Sequence, residues 1–188
     1  MQVVIGPHQP LWLHHFDQLK TVIQDILSAY PIQIHHVGST SIPGIWAKPI
    51  LDIDIVIDDK SLLAPITAQL EKAGYEYKGD QGVPGRFAFK QVSTQTPFTE
   101  EKAIWQTHHL YVCFADALAL KNHLVFKESL LKNQMLADQY NQLKRSLVAD
   151  PSMTREEYSK RKTKFILSVL ALSGFTEQQL KEIEAANT

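Results

Sequence analysis

The segment HHVGSTSIPGIWAKPILDIDIVI, residues 35–57, joins a Gly-Ser turn to an isoleucine-rich run that carries two aspartates. Side chains alternate between the two faces of a β-strand. One alternating set in this run is entirely apolar: Leu51, Ile53, Ile55 and Ile57. The other set carries Asp52 and Asp54 between apolar neighbours, which is not the pattern of a solvated sheet surface. The run therefore predicts a strand that presents both carboxylates on one face.

These two carboxylates indicate a divalent-cation site. Residues i and i+2 on a strand lie roughly 6.5–7 Å apart, so Asp52 and Asp54 can converge on one ion or on a pair of ions about 4 Å apart. Without a cation, neighbouring carboxylates repel each other. Because Mg²⁺ is usually presented by one or two carboxylates together with substrate phosphates, Mg²⁺ or Mn²⁺ is the predicted cofactor. The alternative is an edge strand with two aspartates at its solvated end.

The Gly-Ser turn favours the metal interpretation. Gly38 can adopt a positive φ, and the hydroxyl groups of Ser39 and Thr40, together with backbone N–H groups, can hold phosphate oxygens. Taken alone, Gly-Ser-Thr-Ser is also an ordinary turn. Ser39 precedes Asp52 by thirteen residues, and Gly-Ser, a spacer and Asp-hydrophobic-Asp form a more specific combination. It predicts a phosphate site that faces a metal site.

This combination resembles the signature of the polymerase-β-like nucleotidyltransferase superfamily, in which the serine contacts nucleotide phosphates and the acids hold Mg²⁺. The longer segment resembles the hallmark H-(I/V)-G-S-T-(A/S)-(V/I)-P-G-(L/I)-x-x-K-P-I-(I/L)-D-I of the GrpB family. Further segments resemble that family in the same order: GYEYKG, GRFAFK, THHLYVC, LALKNHLVFKESLL, YNQLKRSL and YSKRKTKFI. The resemblance implies an α+β fold, with a nucleotidyltransferase-like mixed β-sheet, flanking helices and a C-terminal helical segment.

Apolar spacing along the chain agrees with this fold class. The predicted strands are 32–38, 50–57, 86–92 and 108–114. The predicted helices are 11–30, 61–74, 117–131, 133–147, 155–174 and 176–186. Pro31 is expected to end the first helix, and Thr154 with Glu157 predicts a capping box. We expect a βαβ-like opening and a single domain over 1–188, with an α/β core at about 1–115 and a helical part at about 116–188.

The resemblance also implies a third carboxylate on a neighbouring strand, but HHLYVCF at 108–114 contains no acid. His109 stands at that place and is predicted to face Asp52 and Asp54. A neutral imidazole can ligate a metal or accept a proton from a hydroxyl group. His36, just before the turn, has two open interpretations, as a metal ligand or as a structural hydrogen-bonding residue.

Positive charge is expected opposite the acids if phosphate binds there. Lys48 and Arg86 are predicted to contact phosphate, since both lie in family-like segments and the planar guanidinium suits bidentate contact. Lys90 shares a strand face with Arg86 but also fits a solvated edge. Lys162 is a weaker candidate, because it lies in the run KRKTK and most such runs on helices form solvated faces. Trp46 is expected to pack in the core rather than to stack on a nucleobase.

Composition narrows the class of partner. The 188 residues are 44% hydrophobic and 21% charged with a net charge of −1, which predicts a globular domain without a broad nucleic-acid surface. No apolar run is long enough to span a membrane and no signal peptide is recognisable, so we expect a cytoplasmic protein. The single cysteine, Cys113, is expected to be buried.

Three functions are compatible with these residues. The first is a metal-dependent nucleotidyltransferase that moves a nucleotidyl group from a nucleoside triphosphate to an acceptor hydroxyl, with catalysis by Asp52, Asp54 and His109. The second is a non-catalytic nucleotide-binding or scaffold module linked to coenzyme A metabolism, because family domains are in some bacteria joined to dephospho-coenzyme A kinase. The third is hydrolase or cyclic-phosphodiester chemistry on the His109 side.

Overall fold

The computed structural model describes residues 3–186, and at its centre lies a five-stranded mixed sheet. The strands are β1 Gln33–Val37, β2 Leu51–Ile57, β3 Tyr75–Tyr77, β4 Arg86–Gln91 and β5 His108–Phe114. The helices are α1 Leu11–Ile26, α2 Leu63–Lys72, α3 Leu118–Lys132, α4 Gln134–Ala149, α5 Arg155–Leu172 and α6 Glu177–Ala185. The predicted fold class, a mixed sheet followed by a helical segment, is confirmed.

The strand order is β1-β2-β5-β4-β3, and only β2 and β5 pair in parallel. The expected βαβ-like opening is wrong, because β1 and β2 are joined by a loop and pair antiparallel. Helix α2 instead leads to the edge strand β3. No strand was predicted at β3, since three residues are too few to establish a period of two.

The two faces of the sheet have different environments, as the alternation in β2 predicts. Leu51, Ile53, Ile55 and Ile57 are fully buried and pack in one apolar cluster with residues of α1 and α2. Asp52 and Asp54 share the other face with His109 and Tyr111 of β5, to which they are paired in register. Helix α3 packs against that second face, with contacts to β1 and β5.

A second apolar cluster joins the helical part to the loop between β1 and β2. Ile42 and Ile45 of that loop are buried against residues of α3, α4 and α5. The helix partners that lie within this cluster include Phe126, Leu130, Tyr140, Val169 and Leu170. The loop that follows the Gly-Ser turn is therefore part of the core of the helical segment.

The positions of the helix ends depend on turns and capping side chains, and not only on the apolar periodicity. Helix α1 ends at Ile26, before Pro31, and a turn follows it. Thr154 caps α5 by accepting a hydrogen bond from the Glu157 amide, but the Glu157 side chain pairs with Arg161. The complete capping box lies at Thr176, at the start of α6.

Across residues 3–186, no helix combines the length and the apolar character needed to cross a membrane. Buried Cys113 agrees with the prediction.

Candidate functional site

The Gly-Ser turn lies directly against Asp52. The antiparallel register pairs Val37 with Asp52, so the chain turns at Gly38 beside that carboxylate. Gly38 has φ 68° and ψ −174°, a conformation that residues with a Cβ rarely adopt. A Cβ atom at this position would overlap the Asp52 carboxylate. Only glycine therefore allows the backbone to approach the acid this closely.

His109 faces Asp52, as predicted. The parallel register places the two residues side by side, and Nδ1 of His109 donates a hydrogen bond of 2.9 Å to Oδ1 of Asp52. Both side chains are partly exposed, 54% for His109 and 33% for Asp52. The bond to Nδ1 leaves the second ring nitrogen, Nε2, as the acceptor of the neutral imidazole.

Asp54 has different surroundings from Asp52. Its side chain is fully buried, and Oδ2 accepts a 2.7 Å hydrogen bond from Nδ1 of His123 on α3. Its Oδ1 atom is buried without a hydrogen-bond partner. Asp54 shares the face of Asp52 but lines neither of the two cavities that Asp52 lines. Sequence reasoning missed His123, because 69 residues separate the pair and no short motif relates them.

His36 lies on the opposite face of the sheet, so its interpretation as a metal ligand is wrong. It pairs with Ile53 in the β1–β2 register, and its ring stacks on Phe16 at 4.6 Å between centroids. Nε2 of His36 bonds Thr40 Oγ1 at 3.0 Å, while that hydroxyl donates to the Ile50 carbonyl at 3.3 Å. Burial lowers the pKa of His36 to about 4. The Thr40 hydroxyl, predicted to bind phosphate, is thus engaged in a structural network.

Lys144 of α4 reaches the Gly-Ser turn and was not predicted. Its side chain is fully buried, and Nζ donates to Ser39 Oγ at 3.1 Å and to the carbonyl of Trp46. Nζ also lies 4.4 Å from the centroid of the Tyr140 ring. Burial, and then the charge of Lys162, lower the pKa of Lys144 to about 7. Lys144 follows Tyr140 by four residues and therefore lies in the apolar stripe of α4. A lysine in an apolar stripe was the sequence signal that could have identified it.

Three lysines surround a cavity of about 280 Å³ beside the turn. Lys48, Lys144 and Lys162 line it together with Ser39 and Asp52. The predicted solvated position of Lys162 is wrong, because its side chain points from α5 into this cavity. Burial lowers the pKa of Lys162, and the negative charge of Asp52 opposes that shift. Burial also lowers the pKa of Lys48, followed by the charges of Arg155 and Lys162.

Arg86 borders a neighbouring cavity of about 200 Å³, which is also lined by Gly38, Ser39 and Asp52. Its guanidinium carbon lies 4.6 Å from the centroid of the Tyr111 ring, and its Nε atom is buried without a hydrogen-bond partner. The Arg86 side chain thus has an unpaired but buried donor beside this cavity.

Two predicted or candidate residues lie away from these cavities. Lys90 is exposed and lines neither cavity beside Asp52, in agreement with a solvated position. Trp46 is half-buried rather than in the core: the guanidinium carbon of Arg145 lies 4.7 Å from the centroid of its ring.

The donor set fits an ion that substrate phosphates complete, rather than a closed protein site. No group of three or more histidine, cysteine or acidic residues within 3–186 is arranged to hold a metal. Asp52 presents a partly exposed carboxylate to both cavities, and Asp54 has an unpaired but buried Oδ1 atom on the same strand face. Mg²⁺ commonly takes one or two carboxylates, with water and phosphate oxygens as its other ligands.

The mixed sheet with its flanking and C-terminal helices has a nucleotidyltransferase-like fold. A family model described as GrpB protein matches residues 2–171, and the chain belongs to the GrpB family. The resemblance found in the sequence is thereby confirmed.

Protein YqkA of Bacillus subtilis is 30% identical over 155 residues, which cover 82% of this chain but only 42% of YqkA. The glutamate-rich protein GrpB of Alkalihalophilus pseudofirmus is 26% identical over 170 residues, covering 90% of this chain and 94% of that protein.

Solved structures agree with this classification. The crystal structure of GrpB from Enterococcus faecalis has a TM-score of 0.73 at 26% identity and covers 95% of this chain and 98% of its own. The Cid1 poly(U) polymerase with bound MgGTP has a TM-score of 0.53 at 12% identity, covering 76% of this chain and 45% of Cid1. The second likeness shows a shared fold.

Proposed function

We propose that this protein is a metal-dependent nucleotidyltransferase that transfers a nucleotidyl group from a nucleoside triphosphate to an acceptor hydroxyl. The observation that carries the proposal is the contact between the Gly-Ser turn and Asp52, with three lysines around it. A phosphate-binding turn, an acid and opposing cations are the groups that phosphoryl chemistry requires, since its catalysis is mostly positioning and electrostatic stabilisation.

The turn and the lysines would hold the triphosphate. Backbone N–H groups at Gly38 and Ser39 would donate to phosphate oxygens, and Thr40 would contribute through its backbone because its hydroxyl is engaged. Lys48, Lys144 and Lys162 would balance the phosphate charge from the other side of the cavity. Arg86 would add the positive charge of its guanidinium from the wall of the neighbouring cavity.

The two aspartates would present Mg²⁺ or Mn²⁺ to those phosphates. When bound, the ion would neutralise charge on the reacting phosphate and on the leaving pyrophosphate. Asp52 would hold His109 by accepting a hydrogen bond from the Nδ1–H group of the histidine. His109 Nε2 would accept the proton of the acceptor hydroxyl as the hydroxyl oxygen attacks the α-phosphorus in line. His123 would keep the Asp54 carboxylate in a fixed orientation from α3.

A second function, nucleotide binding without turnover, is favoured by the burial of Asp54. Its side chain is fully buried against His123, and β5 provides no third carboxylate. Under this alternative the protein would act as a nucleotide-responsive or scaffold module, including one that serves coenzyme A metabolism.

The first experiment is a thermal-shift screen of the purified protein. ATP, GTP, CTP, UTP and dephospho-coenzyme A are each tested with Mg²⁺, Mn²⁺ or EDTA, because a ligand that binds only the folded state raises Tm. We expect a nucleoside triphosphate to raise Tm in Mg²⁺ but not in EDTA. Asp52→Asn is expected to abolish that shift, whereas the matched Asp58→Asn, at an exposed position after the same strand, retains it.

Turnover is measured next, as metal-dependent release of pyrophosphate with a panel of hydroxyl acceptors. Release that requires Asp52 and His109 supports the transferase. Tight nucleotide binding without pyrophosphate from any acceptor favours the non-catalytic alternative. A protein whose Tm responds to no nucleotide in any metal contradicts both.

A further inference from the structure

A third and larger cavity lies further along the same face of the molecule. Its volume is about 620 Å³, within the range of roughly 300–1,000 Å³ that small-molecule sites occupy. It is enclosed by the turn before β4, the start of α3 and the end of α6. Much of its wall is apolar, including Val83, Pro84, Phe114, Leu118, Ala119 and Ala186. We call it the distal cavity.

The distal cavity adjoins the site around Asp52. Arg86, Asn122 and His123 line both the distal cavity and the 200 Å³ cavity. That smaller cavity in turn shares Ser39 and Asp52 with the lysine-lined cavity. The three cavities therefore adjoin one another in a row across the sheet, and Asp52 lines both the lysine-lined cavity and the 200 Å³ cavity; we call this row the trough.

The two ends of the trough differ in charge. Three lysines face the cavity beside the turn, where an anionic group is favoured. At the distal end Lys60 is already paired with Asp116 at 3.0 Å, and Glu182 adds a further negative charge. Because Arg86 also lines this cavity, its two positive and two negative side chains balance. A second anionic group gains no net attraction there, whereas an uncharged, largely apolar group matches the wall. The trough thus fits a molecule that is anionic at one end and uncharged and largely apolar at the other.

We propose that the distal cavity binds the nucleoside part of the nucleotide, an assignment that rests on the proposed function. The triphosphate lies among the lysines, the α-phosphate passes Asp52, and the nucleobase enters the distal cavity. Asn122 provides a carboxamide whose donor and acceptor can pair with a base edge. Arg86, at the junction, contacts the nucleotide where phosphate meets sugar.

The assignment is tested by filling the distal cavity. Ala186→Trp adds bulk from the end of α6, and Ala119→Leu adds it independently from α3. Ala149→Trp, at the exposed end of α4, is the matched control. Titration calorimetry in Mg²⁺ compares two probes, inorganic tripolyphosphate and the nucleoside triphosphate that gives the largest Tm shift. Circular dichroism verifies the fold of each variant.

We expect each folded cavity-filling variant to bind the nucleoside triphosphate about tenfold or more weakly, because a blocked pocket forfeits most of the contacts of the nucleoside. Its Kd for tripolyphosphate stays that of the wild type, and the control changes neither value. Nucleotide binding that is unaffected in both folded variants overturns the assignment but leaves the proposed function standing. Equal losses for both probes also overturn it. A wild-type protein that binds no nucleotide ends the proposed function and the assignment together.

Discussion

At Gly38, the absence of a single methyl group allows the turn to touch Asp52. Gly38→Ala places a Cβ against the carboxylate and forces the new side chain into a backbone conformation that costs about 1–3 kcal/mol. We expect the variant to lose at least that much free energy of unfolding, measured with urea. Gly44→Ala is the control, because Gly44 also has a positive φ but an open environment. Equal losses in the two variants would show that the contact with Asp52 is unimportant for stability.

The Asp54–His123 pair gives a second prediction at the scale of the residue. His123→Phe leaves a fully buried carboxylate without its partner, which destabilises proteins by about 3–5 kcal/mol. We expect that loss in urea unfolding. The double variant Asp54→Leu/His123→Phe removes both polar groups, and its free energy of unfolding should return most of the way to the wild-type value. A double variant as unstable as His123→Phe alone would contradict a buried pair.

Lys144 links the stability of the protein to pH. Its folded-state pKa of about 7 lies below its ordinary value of 10.5, so between these values the unfolded chain binds more protons than the folded chain. Rising pH in that window therefore stabilises the folded state through this group. From pH 7 to pH 9, the wild type should gain roughly 1–3 kcal/mol of unfolding free energy relative to Lys144→Met.

Urea unfolding at both pH values measures this difference. Lys164→Met, at an exposed position of α5, is the matched control and should follow the wild type. If the free energy of unfolding changed equally between pH 7 and pH 9 in the wild type and in Lys144→Met, the folded environment would not perturb the pKa of Lys144.

At the scale of the elements, α4 fixes the loop that carries the Gly-Ser turn. The Asn141 carboxamide accepts a hydrogen bond from the Trp46 amide and donates one to the Gly44 carbonyl, both at 2.8 Å. Asn141→Ala removes both bonds, and we expect a loss of about 1–3 kcal/mol of unfolding free energy. Hydrogen exchange at the Trp46 amide should become faster in that variant. The neighbouring Gln142→Ala, at an exposed position of α4, should leave that amide protected.

At the scale of the whole molecule, we propose that the α/β and helical parts form one folding unit. Ile42 and Ile45 of the β1–β2 loop are buried among helices α3–α5, and Lys127 of α3 donates to the His36 carbonyl at 2.8 Å. We expect coincident urea transitions by tryptophan fluorescence and far-UV circular dichroism, and no cooperative transition for the fragment 1–115. Two separated transitions would show that the parts fold independently.

Local pattern was sufficient for most of the architecture and for the centre of the site. The alternation in ILDIDIVI determined which face of β2 is core, and Gly-Ser before Asp-x-Asp identified the turn and the acid that it touches. Both signals depend on residues close in the chain, where strand geometry is fixed by a period of two. Strand β5 was likewise predicted with its observed bounds, because polar or small residues precede and follow it in the sequence.

Only the tertiary structure decided which distant side chains complete the site. Lys144 and Lys162 reach the turn from helices more than a hundred residues away, and His123 reaches Asp54 because α3 crosses β1 and β5. A helix face is known from periodicity, but its partner depends on packing among several elements at once. The β1–β2 register placed His36 on the face opposite the acids, and helix packing buried Asp54 while leaving Asp52 partly exposed. The sequence by itself therefore determined the strand, the turn and the position of the acids beside it, and packing determined which charges surround them.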